Sequence, residues 1–373
     1  MKIAELINQQ VDNRLYREDE SLVSNRDGVG VELELENIVF FSNGSLNTGS
    51  YLRNLPLPNL YWTPVEDGSL REGTEFTFKG AMIGANITAA LEEMEVFLNV
   101  FRRNGKPVEI TERCSVHVHL DVREMDESGL NNLILIYLLV ERVIFQHVNP
   151  LRLKNNYCRP LSDSSFKYTL SEMMQYSKRK SLPSLSQVVK RDCDKYSALN
   201  VLPITKFGSV EFRHHHGTSD MLAIKDWINV ILSLKVASYT YKIEDLLEIY
   251  EKRGAVELLS VIFKGSKLGS LEHIVSLNID EMMSKGVSDI KEILNMESLQ
   301  SLNSSRNKSR AKTENTLLHQ FKEVNNLSTF EVSPEFNDLN IVSSVEPVTQ
   351  SIPTAPTTSS EIDAFFNQMS LGA

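Results

Sequence analysis

The stretch Val29–Glu36 (VGVELELE) constrains the fold more than any other part of the chain. Apolar and acidic residues alternate in it with a period of two, which predicts a β-strand with Glu32, Glu34 and Glu36 on one face. We expect this strand to continue toward Phe41. Like charges this close repel one another, so solvent, a basic neighbour or a metal ion is needed opposite them. For this segment alone, an ordinary solvated sheet face is the better interpretation.

The same alternation recurs in three further segments of the sequence. Solvent-exposed faces of sheets are usually built from Thr, Ser, Lys and Gln, whereas these faces carry the residue types that bind metals, protons and phosphates. Four strands with such faces favour a functional site over a solvated surface. The polar residues are His117, His119 and Asp121 in segment 116–122, Glu75 in segment 74–78, and Glu211, Arg213 and His215 in segment 209–215.

Helical periodicity between these strands predicts an α+β fold. The expected architecture is an antiparallel sheet with an open polar face and with helices packed on its apolar face. Segments 199–202 and 210–215 are expected to pair as a hairpin. The predicted helices cover 2–16, 86–101, a long apolar helix from Ser128 or Asn131 to about His147, 222–241, 244–253, 256–263 and 288–295.

The composition of the chain changes near Ser301, which divides it into a folded part and a tail. Residues 1–300 are predicted to form one domain, and residues 301–360, rich in Ser, Asn, Thr, Pro and Gln, a disordered tail. The last residues, 361–373, place Ile362, Phe365 and Met369 at helix-compatible spacing. This segment is either a short docking peptide for a protein partner or a terminus without a function.

Charge, cysteine content and hydropathy exclude several classes of partner. The net charge of −10 argues against nucleic acid, because that binding depends on Lys and Arg. The three widely spaced cysteines fit a reducing compartment. The longest apolar run, residues 133–140, is too short to cross a bilayer, and no secretory signal begins the chain. We therefore expect a cytoplasmic protein without a membrane partner.

Five motifs follow one another along the chain: Gly30-x-Glu32-x-Glu34, Asp67-Gly68-Ser69-Leu70 with Glu75, His117-Val118-His119, Tyr196-x-x-Leu199-Asn200 and Glu211-Phe212-Arg213-x-x-x-Gly217-Thr218. Taken in order, they resemble those of the amidoligases, a family of the carboxylate–amine ligase superfamily that includes glutamine synthetase and glutamate–cysteine ligase. The likeness covers roughly residues 25–240. The family is common in bacteria and bacteriophages, so a phage protein acting in host cytoplasm would fit the resemblance.

The resemblance implies a glutamine-synthetase-like sheet and an ATP- and Mg²⁺-dependent reaction. A substrate carboxylate would attack ATP to form an acyl phosphate, which an amine then converts to an amide. The substrates would be small-molecule or peptide carboxylates and amines, and relatives that form rings leave a homo-oligomer open. The implied site comprises metal ligands Glu32, Glu34, Glu75 and Glu211, nucleotide-binding residues His117, His119, Arg191, Tyr196 and Asn200, and catalytic residues Arg213, Glu75 and Asp67.

Other interpretations of the same residues stay open at the level of sequence. His117 and His119 lie on the same face of their strand, so alternation does not decide which of them contacts nucleotide or metal. Asp67 either positions an amine or caps its turn. Arg213 is also expected to form an ion pair with Glu211 or Asp121.

Two alternative functions compete with the ligase. The triplet 214–216 (HHH) beside the His-x-His strand permits a zinc-dependent amide hydrolase, although alternation leaves only His215 on the active face. The four glutamates favour magnesium. A non-catalytic binding or assembly protein that retains the fold is the third candidate.

Overall fold

A six-stranded antiparallel sheet forms the framework of the protein, here described from a computed structural model. The strand order is β4-β5-β1-β6-β8-β7. A separate two-stranded hairpin pairs β2 with β3. The strands are β1 (Val29–Glu36), β2 (Phe41–Ser42), β3 (Ser45–Leu46), β4 (Trp62–Val65), β5 (Gly73–Phe78), β6 (Ser115–Asp121), β7 (Leu199–Asn200) and β8 (Ser209–His216).

The structure describes most of the first 294 residues. The described ranges are 2–11, 16–38, 41–42, 45–46, 58–103, 108–164, 166, 168–171, 189, 193–270 and 279–294. The predicted tail 301–360 and the segment 361–373 lie outside these ranges and stay predictions.

Seven helices are named within the described ranges, and the α+β class with helices on one face of the sheet is confirmed. The break predicted between the helices 244–253 and 256–263 corresponds to a kink at Gly254, whose φ is +84°. The helices are α1 (Ile3–Leu6), α2 (Ala85–Arg103), α3 (Glu127–Val148), α4 (Ile204–Phe207), α5 (Met221–Thr240), α6 (Ile243–Ile262) and α7, which covers 279–294.

Two boundary predictions are wrong because asparagine takes a left-handed conformation. The N-terminal helix was expected to cover 2–16, but α1 ends at Leu6 and Asn8 has a φ of +56°. The glutamate strand was expected to continue toward Phe41, but β1 ends at Glu36 because Asn37 has a φ of +61°. Asparagine tolerates this conformation better than most residues, so both segments could stop earlier than their apolar pattern indicated.

The register of the sheet follows from the alternation in the sequence. Glu34 lies opposite Glu75, and Glu32 lies opposite His117. On the other side of β6, His119 lies opposite Glu211. Residues that pair across antiparallel strands share a face, so the acidic and imidazole side chains converge on one surface of four neighbouring strands.

The opposite face of the sheet packs against α2, α3 and α5 in one hydrophobic core. The helix α3 begins at Glu127, one residue before the first of the two predicted starts, because the Asp126 side chain accepts a hydrogen bond from the Gly129 amide at 2.7 Å. It is long and apolar enough to span a membrane by composition, but 78% of its most apolar window is buried inside the protein. Its apolar surface is therefore explained by packing in the core.

Candidate active site

Two groups of potential metal ligands lie next to each other on the polar face of the sheet. The first cluster consists of Glu32, His119 and Glu211, and the second cluster consists of Glu34, Asp67 and Glu75. Within each cluster the candidate ligand atoms all lie within 4.8 Å of one another. The pairing of β5, β1, β6 and β8 creates both clusters, since each strand contributes one or two of these side chains.

His117 lies between the two clusters and is only 3% exposed. Its Nδ1 lies 3.0 Å from Glu32 Oε2, and its Nε2 lies 2.8 Å from the Ser115 hydroxyl. Burial alone would lower the pKa of His117, but the hydrogen bond to Glu32 and the charges of Glu34 and Glu211 raise it above its ordinary value. His117 therefore links the clusters, while His119 belongs to the first cluster.

The two clusters differ in how their negative charge is compensated. Burial would raise the pKa of Glu32, but hydrogen bonds from His117 and His119 outweigh it and hold that pKa well below its usual range. Burial raises the pKa of Glu75 to about 8, and the charges of Glu32 and Glu34 add to the shift. In the second cluster the surroundings thus keep Glu75 protonated at neutral pH instead of compensating its charge.

Glu211 and Arg213 form the ion pair that the sequence led us to expect. Arg213 Nη1 contacts Glu211 Oε1, and Arg213 Nε donates to the Tyr157 carbonyl at 3.2 Å. The Asn200 side chain donates to Glu211 Oε2 at 2.6 Å. Asn200 was expected to bind nucleotide, and in this structure it orients a candidate metal ligand.

A β-bulge in β8 changes the face on which the histidine triplet lies. Val116 pairs with His215 and Val118 pairs with Phe212, so one residue of β6 opposes two residues of β8. The expectation that His215 lies on the active face is wrong. It pairs with a core residue, and its ring centroid lies 5.9 Å from that of Trp227.

His214 also points into the core, where it completes a buried hydrogen-bonded chain. The Tyr137 hydroxyl lies 2.5 Å from Glu141 Oε1 and 2.8 Å from His214 Nε2. Burial lowers the pKa of His214 to about 3. Glu141 also accepts from two backbone amides of the segment after Pro160, at 2.6 and 2.9 Å. The triplet therefore does not supply the set of imidazoles that a zinc site would need.

Two residues of the site were missed by sequence reasoning. Ser115 donates to Glu34 Oε2 through its amide at 2.8 Å and through its hydroxyl at 2.6 Å. Its position two residues before His117 on the same strand was the available signal. Arg152 donates to the carbonyls of Arg213 and His214 at 2.8 and 3.1 Å and so holds the bulge. No local pattern in the sequence marks Arg152.

Two cavities open on opposite sides of the clusters. Cavity one, of about 540 Å³, is bordered by Glu34 and Asp67 of the second cluster and by Arg213. Cavity two, of about 440 Å³, is bordered by Glu32 and His119 of the first cluster. Volumes of this size are typical of small-molecule sites.

The remaining residues of the predicted site are distributed as follows. Tyr196 borders cavity one, and its ring contacts that of Tyr157 with centroids 5.2 Å apart. Asp67 does cap its turn, since Oδ1 accepts from the Ser69 amide at 2.8 Å, and it also belongs to the second cluster. Asp121 pairs with Arg123 instead of joining a cluster. Arg191 lies outside the described residues.

The donor sets of both clusters fit a hard divalent cation. The second cluster consists of oxygen ligands alone, and the first adds one imidazole to two carboxylates. Magnesium prefers oxygen ligands, and a cation would take the place of the proton that Glu75 holds at neutral pH.

Comparison with known proteins agrees with the resemblance inferred from the motifs. Residues 85–235 match the model of a family described as "Putative amidoligase enzyme", so the resemblance to amidoligases is confirmed over those residues. The chain is also similar to the crystal structure of the complex between the prokaryotic ubiquitin-like protein Pup and its ligase PafA. That similarity has a TM-score of 0.29 and 11% identity, and covers 83% of this chain and 72% of that chain. No match was found among curated proteins.

Proposed function

We propose that the protein is an ATP- and Mg²⁺-dependent ligase that joins a carboxylate to an amine through an acyl phosphate. The observation that carries this proposal is the pair of ligand clusters beside Arg213 on one sheet face. The family match over residues 85–235 supports carboxylate–amine ligation as the reaction class. The three free cysteines fit the cytoplasm as its location.

Such a reaction must bring an anionic carboxylate to an anionic triphosphate. Bound Mg²⁺ would supply the neutralising charge. The residues that would hold it are Glu32, His119 and Glu211 of the first cluster and Glu34 and Glu75 of the second cluster, which leaves Asp67 free of metal.

Arg213 is placed to stabilise charge on the phosphoryl group in transfer. Its guanidinium borders cavity one and is fixed by Glu211 and by the Tyr157 carbonyl. A guanidinium held in advance needs little reorganisation when charge develops, which is the general basis of electrostatic catalysis. The bulge of β8 and the clamp by Arg152 set the position of Arg213.

Asp67 is the residue best placed to receive a proton from the attacking amine. It lies on a turn at the border of cavity one, where its carboxylate is partly exposed. Its backbone is fixed by the bond from Leu70 N to Asp67 O at 3.2 Å. A carboxylate at the cavity border can accept a proton while its turn stays in place.

The test is calorimetric titration of Mg·ATP into the wild-type chain and into Glu32→Gln. We expect the wild type to bind and Glu32→Gln to lose most of the affinity, because the first cluster loses one of its two carboxylates. Glu66→Gln is the matched control, since Glu66 is exposed and belongs to neither cluster. Failure of the wild type to bind Mg·ATP would refute the proposed function.

A further inference from the structure

Cavity two has the chemistry of a nucleoside site. It is bordered by Glu32 and His119 of the first cluster and by the neighbouring ring of Phe207. Phe207 is 54% exposed, while many phenylalanines of the chain are fully buried. An aromatic face in contact with solvent next to a metal cluster is suited to stacking with a planar heterocycle.

We propose that cavity two holds the nucleoside of the bound nucleotide and that its base stacks on Phe207. This inference rests on the proposed function, since it names the part of the site that receives the nucleotide. The rings of His119 and Phe207 meet edge to face with centroids 6.4 Å apart. A triphosphate at the first cluster therefore places its sugar and base in the direction of Phe207.

The backbone holds Phe207 as a fixed platform. Phe207 ends the one-turn helix α4, and its amide donates to the Pro203 carbonyl at 2.7 Å. The next residue, Gly208, has a φ of +68°, and a Cβ there would lie 2.2 Å from Arg123 Cγ. Only glycine fits this position, so the chain turns sharply after Phe207 and leaves its ring at the border of the cavity.

Small residues keep the space in front of Phe207 open. Gly30, Gly80 and Ala81 border the same cavity. A Cβ at Gly30 would lie 3.4 Å from His119 Cβ, and Gly80 has a φ of +127° that disfavours a side chain. The strands thus provide a shallow floor along which a flat ligand can lie.

The polar side chains around cavity two are already engaged with protein partners. Arg123 Nε bonds both carboxylate oxygens of Asp121 at 3.0 and 3.1 Å. Ser209 Oγ lies 3.1 Å from His119 Nδ1. The base is therefore held by stacking more than by hydrogen bonds to its edge, and we expect ATP and GTP to bind within about fivefold of each other.

Cavity one has the opposite character and suits the carboxylate substrate. Four cationic side chains border it, which can bind a carboxylate beside the acidic Glu34, Asp67 and Glu112 of the same border. The four are Arg113, Arg152, Lys195 and Arg213. The contact between Tyr157 and Tyr196 offers a rival aromatic surface there, which the experiment must distinguish.

The ammonium of Lys206 lies 4.6 Å from the centroid of the Phe207 ring. This lysine is exposed, so a base can take its place at the ring or stack on the other face. Either arrangement keeps Phe207 as the stacking partner.

The experiment compares Mg·ATP with Mg·tripolyphosphate, which lacks the nucleoside, by calorimetric titration. In Phe207→Ala we expect ATP affinity to fall by about 5- to 150-fold, the range of one base–aromatic stack, with tripolyphosphate affinity unchanged. Phe207→Trp is expected to retain ATP affinity, and Tyr157→Ala, at cavity one, is the matched control. The half-exposed position of Phe207 should leave the melting temperature of these variants near that of the wild type.

Each outcome separates this inference from the proposed function. If the wild type binds neither ATP nor tripolyphosphate, the proposed function fails and this inference fails with it. If the wild type binds ATP but Phe207→Ala binds it equally well, only the proposed stacking on Phe207 is overturned. The same holds if ATP affinity falls in Tyr157→Ala instead. An equal loss of tripolyphosphate affinity in Phe207→Ala would show a structural effect and would also overturn it. Should Phe207→Ala fail to fold, Phe207→Leu, which keeps the apolar bulk but lacks the aromatic face, is held to the same criteria.

Discussion

Cation binding to the second cluster should release a proton from Glu75. The pKa of this carboxyl is raised to about 8 by burial and by the charges of Glu32 and Glu34, so the metal-free protein holds the proton at neutral pH. A carboxylate must be deprotonated to bind a metal ion, so proton and cation compete for Glu75. The affinity for Mg²⁺ or Mn²⁺ therefore depends on pH, and the pKa of Glu75 sets the size of that dependence.

A group with a pKa of about 8 is protonated in roughly nine of ten molecules at pH 7 and in about half at pH 8. Cation binding should therefore release about 0.9 proton at pH 7 and about 0.5 proton at pH 8. The apparent affinity of the second cluster should weaken about tenfold for each pH unit below 8.

Proton release is measured by titrating Mn²⁺ into the protein in three buffers of different ionisation enthalpy. The slope of the binding enthalpy against buffer enthalpy gives the number of protons. Glu75→Gln removes the titrating group and should bring this slope close to zero, while Glu66→Gln should not change it. The reasoning is refuted if the wild type releases no proton at pH 7, or if Glu75→Gln releases as many as the wild type.

Three further substitutions test the energetics of the fold around the site. The raised pKa of Glu75 means that its contribution to the stability of the metal-free protein is complete below about pH 4.5 and is lost as the pH rises through about 8. Glu75→Gln should therefore raise the melting temperature at pH 9 and not at pH 4. Arg152→Met should cost about 1–3 kcal/mol in urea unfolding, because two buried carbonyls of the bulge lose their donor. Tyr137→Phe should cost a similar amount, about 1–3 kcal/mol, since Glu141 and His214 both lose a buried partner.

Exposed residues of the same types serve as controls for these substitutions. Arg102→Met and Tyr239→Phe alter side chains at the surface and should change the free energy of unfolding by less than about 0.5 kcal/mol. If Arg152→Met or Tyr137→Phe is as mild as its control, the bulge does not depend on these contacts. An unchanged melting difference between pH 4 and pH 9 in Glu75→Gln would show that Glu75 is not held protonated.

The face of the sheet on which each strand side chain lies could be predicted well from the sequence. Alternation is a local property, and a core on one face of the sheet forces every second residue to the other face. This placed Glu32 and Glu34, Glu75 and Glu211 on one surface before the structure was known, and the structure brings them together in two clusters. The long apolar helix Glu127–Val148 was also predictable, because its hydrophobic composition is a local property of the sequence.

The bulge in β8 was not predictable, because its cause lies in distant parts of the chain. Arg152 holds the two bulged carbonyls from one side, and Tyr137, whose hydroxyl also bonds Glu141, binds the His214 ring from the other. Arg152 and Arg213 are 61 positions apart in the sequence, and Tyr137 and His214 are 77 positions apart. Local alternation therefore assigned His215 to the wrong face.

The two cavities are built from different kinds of backbone. Cavity one takes much of its border from connecting segments, such as those at Arg113, Asn155 and Lys195, whereas cavity two is bordered largely by the strands and the turn at Phe207. Connecting segments tolerate sequence change and insertion far better than paired strands do. Under the proposed function, divergent copies of this chain can therefore change the residues around the substrate cavity while those around the nucleotide cavity stay fixed.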